Sequence, residues 1–264
     1  MNRKTTIVAF FFSALSALMM MPAHADLHAV ADLQENAEQR INFSGKLRML
    51  SQRIPAAACH LSEGIDVEGS TELLAAATAE FEKILTALEL GDADLDIYQP
   101  ERNARTLVDI GTLRSRWEPM RVAAEAVVNN RATAEEMDYI AQENLAVLAA
   151  AQRLVEQLVR QYSNPNAMTF ASLMLIDISG RQRMLTQKMS KESCMLEAGH
   201  DTMELREDLK TTMLVFDNSL TALRDGMLDV GISPPPTRQI ATGLDGVASD
   251  WQNVQPYLTD ILDG

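Results

Sequence analysis

Ile41-Asn-Phe-Ser-Gly-Lys-Leu-Arg-Met-Leu-Ser-Gln-Arg-Ile54 is followed, later in the chain, by Ile176-Asp-Ile-Ser-Gly-Arg-Gln-Arg-Met-Leu-Thr-Gln-Lys-Met189. Each stretch has Ser-Gly, then Arg-Met-Leu starting three residues after the Gly, then Ser/Thr-Gln and a base. The correspondence reaches beyond this box. Adding 135 carries Gly45 to Gly180, Arg48 to Arg183, Cys59 to Cys194, Gly64 to Gly199, Phe81 to Phe216 and Gly91 to Gly226. Trp117 and Trp251 match after a slip of one residue. An offset that persists across several elements is the mark of tandem duplication.

Periodicity within the repeat is helical. Phe43, Leu47, Leu50, Ile54, Ala57 and Leu61 recur at spacings of three and four, a stripe facing the first unit's own core. Leu73, Leu74, Ala77, Phe81, Ile84, Leu85 and Leu88 give a second such stripe. Aromatic residues make up only 5% of the chain and strand-like alternation is absent, so the fold expected is all-α, built of antiparallel helical bundles. Seven helices are expected, over about 27–63, 70–90, 100–128, 133–162, 167–197, 201–228 and 237–261. Glu63-Gly64 and Ala198-Gly199 act as stops, Thr133-Ala-Glu-Glu136 as a capping box, and Asp201 as a cap. Interruptions are expected at Pro119, and at Gly243, Gly246 and Pro256. The acidic loop 91–96 lacks the Gly and late Glu of a calcium loop and reads as a solvated turn.

Arg3 and Lys4, the apolar run from Ile7 to Met21 and the small residues of Ala23-His24-Ala25 form a secretory signal peptide, residues 1–25, with cleavage expected after Ala25. The two units are then 26–163 and 164–264. The first contains an extra helix, 133–162, without a counterpart in the second, so the second bundle is one helix short of four. The chain carries a net charge of −14. Removing the leader takes away bases only. This balance argues against nucleic acid and anionic lipid as partners. An exported location, the periplasm, follows from the leader.

A second face of the box helix carries Ile41, Gly45, Arg48, Gln52 and Cys59, matched by Ile176, Gly180, Arg183, Gln187 and Cys194. Gly allows close approach of two backbones, and Arg follows one turn later. Two such faces meeting would bring two guanidiniums into a partly dry seam. That is tolerable when an anion lies between their planar forks of donors. An ordinary solvated Arg and a packing Gly remain the alternative. Cys59 and Cys194, equivalent in an exported chain, are expected to form a disulfide across the units, with two buried free thiols as the alternative. His28, His60 and His200 show no ligand spacing, and no haem motif, catalytic triad or phosphate loop is readable. Neither metal, cofactor nor enzymatic activity is expected.

The boxes resemble the signature of the periplasmic sensor domains of nitrate/nitrite sensor kinases of the NarX type, and of the related N-terminal domains of PilJ-type chemotaxis transducers. Copy one fits the pattern at Ile41, Asn42, Gly45, Arg48, Met49, Ser51 and Arg53. Copy two fits at Ile176, Gly180, Arg183 and Met184, with Asp177, Thr186 and Lys188 as near substitutes. The resemblance implies a sensor bundle in which box helices pair and their arginines hold one nitrate or nitrite. Carried over, the anion ligands are Arg48 and Arg183, with backbone near Gly45 and Gly180, and the pairing is within one chain or across a homodimer. The nitrate receptors carry Lys two residues before the Gly, where this chain has Phe43 and Ile178. No kinase or methyl-accepting region is readable, so any signal is expected to pass to a membrane sensor kinase or chemotransducer. A ligand-free adaptor bundle docking on such a receptor is the alternative.

Overall fold

The computed structural model describes the backbone of residues 23–162 and 170–264, and side chains over 36–162 and 175–264 apart from residue 230. Residues 1–22 of the expected signal peptide lie outside this range, and the expected cleavage point after Ala25 lies in the first turn of the first helix. Seven α-helices are present among the described residues: α1 (Ala23–Ser62), α2 (Val67–Leu90), α3 (Ala104–Val128), α4 (Ala134–Tyr162), α5 (Phe170–Glu197), α6 (Met203–Asp225) and α7 (Arg238–Asp263). None is long and apolar enough to cross a membrane.

Local chemistry sets the ends. Gly64 and Gly199 adopt φ of 71° and 90°, which a residue with a Cβ rarely takes. Each closes its helix with the same pair of bonds: Ile65 N–H to His60 O (2.8 Å) with Gly64 N–H to Leu61 O (3.2 Å), and His200 N–H to Met195 O (3.0 Å) with Gly199 N–H to Leu196 O (3.1 Å). The duplication is thus preserved bond by bond. It continues through the next turn, where Asp92 bridges Ile97 and Met227 bridges Ile232. Thr133 and Glu136 form the expected capping box, Glu136 accepting from Thr133 N–H and Thr133 Oγ1 accepting from Glu135 N–H.

Several expected boundaries move. Asp66, with φ of 41°, caps α2, which starts three residues before Ser70. α3 starts at Ala104, not Pro100, because Asn103 Oδ1 accepts from the N–H groups of Arg105 and Thr106. Asp201 does not cap α6. Thr202 does, accepting from Leu205 N–H, while Asp201 pairs with Arg206. α6 ends at Asp225, since Gly226 turns to φ 80° and Leu228 opens a short 3-10 turn. α3 runs through Pro119, and α7 through Gly243, Gly246 and Pro256, without a break. A proline inside a helix forfeits one backbone bond, and the bonds on either side carry both helices across.

α1 to α4 form an up-down-up-down bundle. Antiparallel neighbours are visible in the cross-bonds. Arg40, near the start of the described side chains of α1, donates to Leu88 O at the end of α2 (2.8 Å), and Glu101, before α3, accepts from Gln161 at the end of α4 (3.2 Å). The core contains Leu47, Leu50, Ile54, Leu74, Phe81, Leu85, Trp117 and Leu154, all buried. Trp117 stacks on Phe81 with ring centroids 3.9 Å apart and donates to Glu82 (2.8 Å). α5 to α7 enclose a second, smaller core around Leu209, Phe216 and Trp251. Trp251 lies 4.8 Å from Phe216 and donates to Asp217 (2.9 Å), repeating the first unit's arrangement.

α1 is wrapped by α2, α3, α4 and α5. That explains why both its faces are buried: Leu47, Leu50 and Ile54 on the core stripe, and Arg48, Gln52 and Cys59 on the other. α5 packs on α1, α6 and, more lightly, α7, with no counterpart of α4. Along α7, Ile240, Val247 and Val254 consequently stay 46%, 42% and 49% exposed.

Candidate functional site

The second faces of the two box helices meet. Asp177 and Gly180 lie against Arg48, Gln187 accepts from Arg53 Nε (3.3 Å), and Cys59 is bonded to Cys194 (Sγ–Sγ 2.13 Å, Cα–Cα 6.2 Å). Residue numbers rise together along the seam, so α1 and α5 run parallel. Cys59 and Cys194, equivalent by the 135-residue offset, meet across it.

At the glycine level the seam holds a cavity of about 30 Å³. Its lining includes Asn42, Gly45 and Arg48 from α1, Asp177, Gly180 and Arg183 from α5, and Val155 and Val159 from α4. All four expected anion-site residues, Gly45, Arg48, Gly180 and Arg183, therefore border one space. The glycines make room for a guanidinium. A Cβ on Gly180 would stand 3.1 Å from Arg48 Nη2, and one on Gly45 would stand 3.6 Å from it.

The two arginines are not alike. Arg48 is 1% exposed, whereas Arg183 is exposed at the rim. The cause is α4, which covers the first unit's side of the seam and has no equivalent over the second. Arg48 Nη1 donates to Gln152 of α4 (2.8 Å) and to Asp177 of α5 (2.7 Å), while its Nε is buried with no acceptor in the protein. Burial pulls the Arg48 pKa below its usual value, against the pull of the Asp177 carboxylate and with help from nearby Arg181 and Arg183. Asp177 is shared, since its Oδ2 also accepts from Arg181 Nε (2.8 Å). The anion beside Arg48 is thus supplied by the chain.

Sequence reasoning did not assign Asp177 or Gln152 to the site. Asp177 carried a usable signal, because it is the acidic counterpart of Asn42 in an otherwise matching box. Gln152 carried none, lying on the helix that has no repeat partner.

Further along the seam, Lys191 of α5 is 2% exposed and donates to Asn144 of α4 (2.9 Å). Burial brings its pKa down to about 8. The neighbouring Glu192, wholly buried and paired with Lys188, is pushed up by the same desolvation. Among the described residues no group of three His, Cys, Asp or Glu side chains could hold a metal ion.

Compared with known proteins, no individually curated sequence matches the chain. The family model described as the type IV pili methyl-accepting chemotaxis transducer N-terminal domain, PilJ, matches residues 30–142 and 174–264. These two segments contain both boxes and most of the described helices. The chain belongs to the PilJ family of type IV pili chemotaxis transducer N-terminal domains.

Proposed function

We propose that this chain is a periplasmic sensor protein with two tandem units, 26–163 and 164–264. It binds a small oxyanion of the nitrate or nitrite kind at the α1–α5 seam and passes occupancy to a membrane partner, a chemotransducer or a sensor kinase. The observation that carries this reading is the convergence of both box arginines and both box glycines on one cavity between parallel helices. Arg48 has the planar donor fork that oxyanions fit, in a dry setting where such bonds are strong. Arg183 at the rim adds a second positive charge and a way in from solvent.

Thermal denaturation of the mature protein with nitrate, nitrite and sulfate tests it. The expected result is stabilisation by one of these anions that is lost in Arg48→Gln and reduced in Arg183→Gln. A second reading, a ligand-free adaptor docking on a receptor, draws on the Arg48–Asp177 pair, which neutralises the buried guanidinium within the chain. Binding of a receptor's periplasmic domain that is indifferent to every anion and to Arg48→Gln would favour it.

A further inference from the structure

The candidate anion site already contains an anion on a tether. Resting on the reading of the seam as an oxyanion site, we propose that Asp177 is an internal competitor: its carboxylate occupies Arg48 in the ligand-free protein, and an entering oxyanion displaces it.

Four observations converge on this. The first is shape. A planar carboxylate oxygen, here Asp177 Oδ1 on Arg48 Nη1 (2.7 Å), takes the same donor that an oxygen of a small planar oxyanion suits. The second is position. Asp177 itself lines the cavity that Arg48 and Arg183 border, so an entering oxyanion meets the carboxylate it would replace. The third is freedom to leave. The Arg48 side chain is 2% exposed and held by α4, whereas that of Asp177 is 27% exposed. The more accessible member of the pair is the acid. The fourth is a place to go. Arg181, one turn along α5 and 46% exposed, already holds the other carboxylate oxygen at 2.8 Å. Displacement therefore forfeits one of two ion pairs, and the acid keeps a partner at the surface.

Position gives the exchange a consequence. The Arg48–Asp177 pair ties α5 to α1 at the glycine level, while the disulfide ties them at Cys59 and Cys194. Replacing the tethered anion by a free one releases the seam at one end and leaves it pinned at the other. Occupancy is thereby converted into a change in how the two box helices lie together.

The test is calorimetric titration of the mature protein with sodium nitrate, ionic strength being held constant with sodium chloride, whose anion lacks the planar set of oxygens. Asp177→Asn keeps the shape and an acceptor for Arg48 but removes the competing charge. The expected result is nitrate binding at least tenfold tighter than in the unaltered protein, about 1.4 kcal/mol. Asp177→Ser, which withdraws from Arg48 altogether, is expected to act in the same direction and covers the case in which the amide misfolds. In the double variant Arg48→Gln/Asp177→Asn the gain is expected to vanish. If it persisted, the effect would be one of general charge and the competitor would be ruled out. Equal or weaker binding in Asp177→Asn, with clear binding in the unaltered protein, overturns the competitor but leaves the anion site standing. No nitrate binding in either form overturns both.

Discussion

Removing the Cys59–Cys194 bridge is expected to be the largest single perturbation of stability that leaves the fold intact. The two cysteines are 135 residues apart. Linking them denies the unfolded chain the freedom of a very long loop, and the chain-entropy relation puts this at about 5 kcal/mol at 25 °C. Folded domains are typically stable by about 5–15 kcal/mol, so the bridge accounts for a large share. The native state loses less, because α5 keeps Arg48–Asp177 and Arg53–Gln187 to α1 and Lys191–Asn144 to α4. The assay is urea unfolding of the oxidised protein against Cys59→Ser/Cys194→Ser. The serine pair is preferable to a reductant because both sulfurs are buried. Fluorescence is a suitable probe, since each unit has one of the two tryptophans. Trp117→Phe and Trp251→Phe let each core be followed alone. The expected result is a fall in midpoint for both cores, larger for the smaller core around Trp251, which depends on its attachment to α1. A change in unfolding free energy under about 1 kcal/mol, far below the loop-closure value, or two alkylatable thiols in unreduced protein, would refute the reasoning.

Other expectations follow from buried polar groups. Glu101→Gln leaves Arg40, 1% exposed, without its counter-charge and should lower stability by about 3 kcal/mol in urea unfolding. Lys191 binds its proton more weakly folded, with a pKa of about 8, than unfolded, at 10.5. The unfolded chain therefore holds more protons between these values, and stability should rise with pH across that window by up to about 3 kcal/mol. Lys191→Met should flatten the rise, and a flat profile in the unaltered protein would remove the basis for this reading. Gly180→Ala puts a methyl group 3.1 Å from Arg48 Nη2, whereas Gly45→Ala meets it at 3.6 Å. Nitrate titration should accordingly show a clear loss of affinity in the first and little in the second.

Much of the architecture was legible because it is written locally. Helix stops at Gly64 and Gly199, the capping box at Thr133 and the apolar stripes of α1 and α2 depend on residues within one or two turns. The boundaries that moved, at Asn103 and Thr202, involved a choice between neighbouring polar residues, decided by which side chain faced the free N–H groups. Glu101 had a different task, closing over Arg40 from sixty-one residues away.

The sequence alone determined the duplication, the helical class and the residues of the two faces of the box, because a repeat offset and a helical period survive without any knowledge of neighbours. Only the tertiary structure decided that equivalent boxes are unequal sites. Arg48 is sealed beneath α4 and Arg183 reaches solvent, although their local sequences match. Burial is a property of what surrounds a helix, and α4 has no repeat partner. The same packing brought Asp177 across to Arg48, which turned a substitution at one box position into the acid that holds the site.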